Sequence, residues 1–253
     1  METPFSLEGK TIVITGASSG IGRQCAIDCA GMGANVVLVA RNEERLQETL
    51  SLMEGEEHVV FAHDLTQLSE LPLLANNIVA KTGRINGMIH SAGISTVLPL
   101  KLLDETTMER FFRTNVYATI QLTRAFCNVK NFDKDGGSVI FMSSIMACVG
   151  ENAKSVYSMT KGALLSGMRS LSVEYAKKHI RFNCISPGAI ETPINAEQPY
   201  MKDPDIRAKY EAKYPLGFGK PSDISHACIY LLSDASRWVT GQNFVIDGGY
   251  TAK

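Results

Sequence analysis

Thr11-Ile12-Val13-Ile14-Thr15-Gly16-Ala17-Ser18-Ser19-Gly20-Ile21-Gly22 is the stretch on which the fold turns. Its first five residues are mostly β-branched and lack the alternation of a half-buried strand, so they predict a strand buried on both faces, as in a parallel sheet. The glycines that follow permit a tight turn. Ile21, Cys25, Ala26 and Cys29 then recur at helical spacing until Gly31-Met32-Gly33 stops the helix. A Gly-rich turn between a first strand and a first helix is where backbone N–H groups and the positive end of a helix dipole can meet a pyrophosphate. Gly16, Ser18, Ser19, Gly20, Ile21 and Gly22 are therefore candidate dinucleotide contacts.

Outward from this stretch the alternation repeats. Apolar runs at 35–40, 58–62, 87–90, 138–142, 180–185 and 243–246 are separated by longer helical patterns. Together they predict an α/β fold, a Rossmann-type doubly wound parallel seven-stranded sheet with helices on both faces. The pattern from Asp104 to Asn128 predicts one long helix with Met108, Phe111, Phe112, Val116, Ile120 and Phe126 inward. Another helix, 69–81, is interrupted near its start by Pro72. No repeat, low-complexity tract or linker appears, so residues 1–253 read as a single domain. Residues 189–220 break the rhythm with Pro193, Pro199, Pro204 and Pro215, and only 203–213 looks helical. Such a segment reads as a substrate loop or lid.

The bulk numbers exclude several classes. A chain of 253 residues, 45% hydrophobic and 20% charged, has the make-up of a soluble globular protein with material for a sizeable core. With a net charge of −1 and no block of like charges, it suggests neither a nucleic-acid partner nor an anionic membrane surface. Met1-Glu2-Thr3-Pro4-Phe5-Ser6 lacks the features of a secretory signal and no apolar run is long enough to span a bilayer, so the expected location is the cytoplasm. Six cysteines without a Cys-x-x-Cys, and histidines without a His-x-x-x-His, predict reduced thiols and no metal. Cys25 and Cys29 share a helix face and read as buried thiols rather than half of a metal site.

The end of the second strand chooses between cofactors. An acidic residue there would bond the ribose 2′-hydroxyl, but this chain has Ala40 followed by Arg41. A guanidinium can grip a 2′-phosphate and stack on adenine, so NADP(H) is favoured over NAD(H). Asp64, just past the third strand, could bond the adenine amino group or cap the next helix. Farther on, a strand ends in Ser143-Ser144, and Tyr157 precedes Lys161 by four positions. That spacing puts phenol and ammonium on one helix face, where a fixed cation would favour the phenolate and create a general acid or base nearer neutral pH.

Thr15-Gly16-x-x-x-Gly20-Ile21-Gly22, Asp64-Leu65, His90-Ser91-Ala92-Gly93, Asn115, Ser144, Tyr157-x-x-x-Lys161, Ser186-Pro187-Gly188 and Asp247-Gly248-Gly249 occur in this order over roughly residues 7–250. In order and spacing they resemble the short-chain dehydrogenase/reductase family. The resemblance implies a catalytic set of Asn115, Ser144, Tyr157 and Lys161. Tyr157 would protonate a carbonyl oxygen as hydride arrives from nicotinamide, and Ser144, rather than Ser143, would hydrogen-bond that oxygen. Lys161 would bind the ribose hydroxyls and lower the tyrosine pKa, while Asn115 would interrupt its helix and anchor a water leading to the lysine. The resemblance further implies cofactor contacts from Leu65, Ser91, Ala92, Gly93, Pro187, Gly188, Ile190 and Thr192, and a homotetramer or homodimer. One departure is His90-Ser91 where most members have Asn-Asn, so a side-chain bond is lost or passes to Ser91.

Ile94, Val97, Leu98, Met146, Val149, Ile190, Ile194, Tyr200 and Tyr214 form the expected pocket wall, apolar with few fixed charges. The expected activity is therefore NADP(H)-dependent reduction of a small-molecule ketone or other carbonyl to a secondary alcohol. A 3-oxoacyl carrier-protein reductase is the alternative, but its two basic carrier-recognition positions fall on Asp135 and Lys178, so only one is basic. Glycine spacing sets aside nucleotide-sugar epimerases, and Tyr–Lys spacing sets aside the enoyl-reductase branch. A non-catalytic NADP-binding sensor or scaffold would typically lack the tyrosine or the lysine, and both are present.

Overall fold

The computed structural model describes residues 3–128, 130–196 and 198–252, apart from the side chains of Pro199 and Tyr200. The strands are β1 (Thr11–Thr15), β2 (Asn35–Ala40), β3 (Val59–Ala62), β4 (Gly87–His90), β5 (Gly137–Met142), β6 (Ile180–Pro187) and β7 (Asn243–Ile246). All pair in parallel, in the order β3-β2-β1-β4-β5-β6-β7. The helices are α1 (Gly20–Gly31), α2 (Glu43–Leu50), α3 (Leu71–Thr82), α4 (Glu105–Phe112), α5 (Ala118–Phe126), α6 (Ser155–Glu174), α7 (Pro193–Ala196), α8 (Pro199–Lys202), α9 (Pro204–Glu211) and α10 (Pro221–Leu232).

Successive strand residues point to opposite faces, and each face meets its own helices. Ile12, Ile14, Val36 and Leu38 pack with Cys25, Ala26 and Cys29 of α1 and with Cys228 and Leu231 of α10. The small residues on α1 allow that helix to lie close to α10, with the Cys25 and Cys228 sulfurs 3.7 Å apart. On the other face, Val13, Val37, Val39 and Met88 meet Leu71, Leu74 and Ile78 of α3, Leu122 and Phe126 of α5, and Leu164 and Met168 of α6. Burying each such side chain is worth about 1.5–3 kcal/mol, and a slip of one residue would exchange the two faces, so the register is strongly specified. The strand order reverses direction between β1 and β4. This opens a crevice beyond their carboxyl ends, at Thr15 and His90.

Three segments differ from the sequence-based expectation. Pro72 does not interrupt α3; it lies in the first turn, where a missing N–H costs nothing. The single helix that spacing predicts over residues 104–128 is divided by a π-helical turn at Arg113–Tyr117, at the Asn115 where the family resemblance places an interruption, and this shifts α4 out of phase with α5. Met108, expected inward, is consequently 38% exposed. In the proline-rich segment, Pro193, Pro199 and Pro204 each begin a short helix, so α7 and α8 join α9, the one helix expected there.

Candidate active site

A cleft of about 770 Å³ opens at the carboxyl ends of the strands. Gly16, Ser18, Ser19, Gly20 and Ile21 line it where β1 gives way to α1. Gly16 has φ +69°, and a Cβ there would lie 2.8 Å from the Ala92 nitrogen in the loop after β4. Gly22 does not line the cleft. Its role is clearance, since a Cβ at Gly22 would collide with the Gly16 carbonyl. Ser19 precedes α1 without a side-chain capping bond, so its hydroxyl leaves the first-turn amides to other acceptors.

Arg41 lines the same end, and so does Arg45 from the first turn of α2, which the motif reading did not single out. Asn42 lies between them and caps α2, its Oδ1 accepting the Arg45 N–H at 2.8 Å. Asp64 and Leu65 are also in the wall. Asp64 does not cap a helix; it closes an Asx turn, accepting from the Thr66 amide at 3.0 Å and hydroxyl at 2.9 Å. Burial pushes the Asp64 carboxyl up, but the two Thr66 bonds and the Arg41 charge outweigh this and hold its pKa below the ordinary value.

Ser91, Ala92 and Gly93 form the opposite wall. The Ala92 N–H donates to Thr15 Oγ1 at 3.2 Å, which ties this loop to the end of β1. The departure at His90-Ser91 is accommodated mainly at His90, which is buried with Nε2 2.9 Å from Thr123 Oγ1. Because Thr123 donates its one hydroxyl proton to the Thr119 carbonyl, Nε2 must carry the hydrogen and donate to Thr123. Burial pulls the His90 pKa down to about 3, so the ring is neutral.

The remaining expected groups come from β5, the π turn and α6. Ser143 donates to the Lys161 carbonyl at 3.0 Å, whereas Ser144 Oγ accepts the Met146 N–H at 3.2 Å and interacts with the Tyr157 phenol. Tyr157 and Lys161 share a face of α6, with Lys161 Nζ 5.7 Å from the Tyr157 ring centroid. Lys161 Nζ donates to the Met142 carbonyl at 2.7 Å, and burial pulls its pKa down to about 8. Burial pushes the Tyr157 pKa up, and Ser144 pulls it only partly back. This corrects the expectation of a lowered phenol pKa: desolvation of the phenolate outweighs the neighbouring hydroxyl, and the lysine is engaged by a backbone carbonyl.

Asn115 is buried in the π turn, behind the cleft rather than in its wall. Its Oδ1 accepts the Ile94 N–H at 2.8 Å, and its Nδ2 donates to the Ile94 carbonyl and Thr160 Oγ1, both at 3.0 Å. One side chain thus joins the loop after β4 to the α6 residue next to Lys161. Gly93 leaves room for this junction, since a Cβ there would lie 3.2 Å from Asn115 Oδ1 and 3.4 Å from Lys161 Nζ. Pro187, Gly188, Ile190 and Thr192 complete the wall beyond β6. The Thr192 side chain would be 3.3 Å from a Cβ on Gly20, so the lid segment meets the Gly-rich turn.

At the other end, Ile94, Met146, Ile190, Ile194 and Tyr214 line the cleft, but Val97, Leu98 and Val149 do not; the Tyr200 side chain lies outside the described residues. Val149 instead packs with Tyr157, Tyr210, Tyr214, Phe218 and Tyr250 around Ile145 and Met146. The expected wall of few charges is also corrected, because Arg110, Glu151 and Lys154 line it. Lys154 precedes Tyr157 by one helical turn, a spacing that could have placed it on the same face. Among the described residues, no group of three or more His, Cys, Asp or Glu side chains could hold a metal, and no helix is long and apolar enough to cross a membrane.

A family model described as enoyl-(acyl carrier protein) reductase matches residues 16–251. An L-rhamnose 1-dehydrogenase (NAD(P)(+)) from a Sphingomonas species is 33% identical over 251 residues, covering 96% of each chain. A solved structure assigned as a short-chain alcohol dehydrogenase from Sinorhizobium meliloti has a TM-score of 0.92 at 30% identity, covering 99% of this chain and 100% of the other. Another, assigned as an NAD(P)-dependent gluconate 5-dehydrogenase from Beutenbergia cavernae with bound NADP, has a TM-score of 0.90 at 28% identity, covering 99% and 100%. With its parallel sheet, Gly-rich turn and Tyr-x-x-x-Lys helix, the chain belongs to the short-chain dehydrogenase/reductase family, oxidoreductases that interconvert alcohol and carbonyl groups with a nicotinamide cofactor.

Proposed function

We propose that the protein is an NADP(H)-dependent oxidoreductase that reversibly reduces a ketone or other small-molecule carbonyl to a secondary alcohol. The carrying observation is the convergence of Ser144, Tyr157 and Lys161 in the cleft that the Gly-rich turn also lines. The residues fit a dinucleotide: Gly16 and Gly22 permit a tight turn that a Cβ at either would force apart, and α1 begins beneath it. Arg41 and Arg45 would take a 2′-phosphate, with Asp64 and Leu65 beside the adenine and Ser91, Ala92 and Gly93 beside the ribose. Pro187, Gly188, Ile190 and Thr192 would hold the nicotinamide. The preference for NADP(H) over NAD(H) rests on Arg41 following Ala40 where an acid would bond the ribose hydroxyl.

The bound nicotinamide supplies or takes the hydride. Tyr157, a phenol that is protonated at neutral pH, gives its proton to the carbonyl oxygen, and Ser144 hydrogen-bonds the same oxygen. Lys161 would bond the ribose hydroxyls, and Asn115 holds the helix that presents it. Residues 189–220 serve as the lid. A homodimer or homotetramer would cover the exposed Met108, Tyr117, Met159 and Val173, and the balanced charge suits the cytoplasm. The carrier-protein alternative is weaker, since Asp135 is acidic and the Lys178 ammonium lies over the Tyr175 ring, 4.8 Å from its centroid.

The test is Tyr157→Phe, assayed by NADPH oxidation against ketones, sugars, quinones and 3-oxoacyl thioesters. The expected loss in turnover is about a hundredfold or more, with NADPH affinity kept within about threefold. Retention of more than a few per cent of wild-type turnover would remove Tyr157 as the proton donor.

A further inference from the structure

We propose that Lys154 determines substrate choice and that the substrate is an oxo acid whose single carboxylate pairs with the Lys154 ammonium; this rests on the carbonyl-reducing reading above and narrows it. Lys154 stands immediately before α6, is only 6% exposed and lines the cleft. Its Nζ donates to Gln198 Oε1 at 3.0 Å and reaches Ser95 Oγ at 3.5 Å. Both partners are neutral, and none of the ion pairs among the described residues includes Lys154. An enclosed ammonium without a directly paired carboxylate is costly, and the bonds to Gln198 and Ser95 leave one of its three N–H donors for a ligand.

The surroundings are built to keep it there. Ala153 adopts the left-handed region with φ +59°, a conformation disfavoured for a non-glycine residue. The Leu98 N–H holds the Ala153 carbonyl in that turn at 2.7 Å. Gln198 presents its oxygen to Lys154 because its Nε2 donates to the Ile194 carbonyl at 3.2 Å. Lid, loop after β4 and catalytic helix thus meet at one cation.

That cation is close to the reacting position, with Lys154 Nζ 5.9 Å from the Tyr157 ring centroid. A carbonyl bonded to Tyr157 and Ser144 can therefore place a nearby acid group on Lys154. Glu151 lines the same end, its carboxylate accepting the Tyr210 hydroxyl at 3.1 Å. It helps keep Lys154 charged against the pull of burial, and its own charge would repel a second negative charge on the ligand. The balance suits a carboxylate monoanion better than a phosphate dianion.

The test compares matched pairs, acetoacetate with methyl acetoacetate and levulinate with methyl levulinate, at saturating NADPH. Wild type, Lys154→Met and Lys154→Arg are assayed, each checked by circular dichroism and melting; Lys154→Gln replaces Lys154→Met if the latter does not fold. Wild type should favour each acid over its ester by about tenfold or more in kcat/KM, chiefly through KM. Lys154→Met should lower that ratio about tenfold, and Lys154→Arg should keep it. A wild-type ratio near one, or a ratio unchanged in Lys154→Met, overturns the proposal while reduction of the esters leaves the parent reading intact. If no probe is reduced, the parent reading fails for them, and calorimetric titration of levulinate into the protein with NADP⁺ decides the site. Saturable binding that Lys154→Met weakens about tenfold supports it, and absent or unaffected binding overturns it.

Discussion

At the β1 end of the cleft the Gly-rich turn lines the wall with glycines, backbone and short polar side chains, whereas at the β5–β6 end three ionisable groups from one helix and its cap, Lys154, Tyr157 and Lys161, are enclosed by segments remote from it in sequence. Gly16, Gly20 and Gly22 work by what they lack, since a Cβ at Gly16 or Gly22 would strike backbone. Tyr157, Lys161 and Lys154 work by being enclosed, and burial shifts the pKa of each toward its neutral form. A surface of backbone and small residues suits the constant pyrophosphate of a cofactor. Fixed charges held out of water suit proton transfer and selection of one substrate among many, because electrostatic effects there are least screened.

The comparison can be broken at defined points. The largest effect is expected from Arg41→Asp, which puts an acid at the cofactor end: the ratio of NADPH to NADH affinity, read by fluorescence titration, should fall by about tenfold or more. An unchanged ratio would mean that Arg41 only begins the polar face of α2. Next comes Asn115→Ala, which strands the Ile94 amide and carbonyl and removes the bond to Thr160. A loss of about 2–4 kcal/mol in chemical denaturation is expected, lowering Tm by roughly 5–15 °C. Loss of turnover without loss of stability would assign Asn115 to chemistry rather than to joining loop and helix.

The last point concerns His90. Its pKa is pulled by burial from 6.5 down to about 3, so the unfolded chain takes up a proton before the folded one does. Stability should be fully present above about pH 6.5 and decline as pH falls toward 3. His90→Asn should flatten that part of the stability–pH curve; an equally steep decline in the variant would assign it to other groups.

The strands and the Gly-rich turn were legible because their signals are local. Continuous β-branched runs, helical spacing and glycines at fixed offsets need no knowledge of distant contacts. The π turn at Asn115 was not legible from spacing, because it shifts the helical phase by one residue without a Gly or Pro to mark it. Three prolines of 189–220 misled for the opposite reason: Pro193, Pro199 and Pro204 read as breakers but stand where a helix can begin. Lys154 carries no local mark of its role, and no sequence period links it to Ser95 or Gln198.

By itself the sequence determined the parallel sheet, the position of the Gly-rich turn and the Tyr157–Lys161 face, since each depends on residues within a few turns of one another. Tertiary structure decided which charges are taken out of water. The raised phenol of Tyr157, the ammonium of Lys161 on the Met142 carbonyl and the enclosed Lys154 follow from packing between remote segments, and desolvation is a property of the assembled cleft rather than of any stretch of chain.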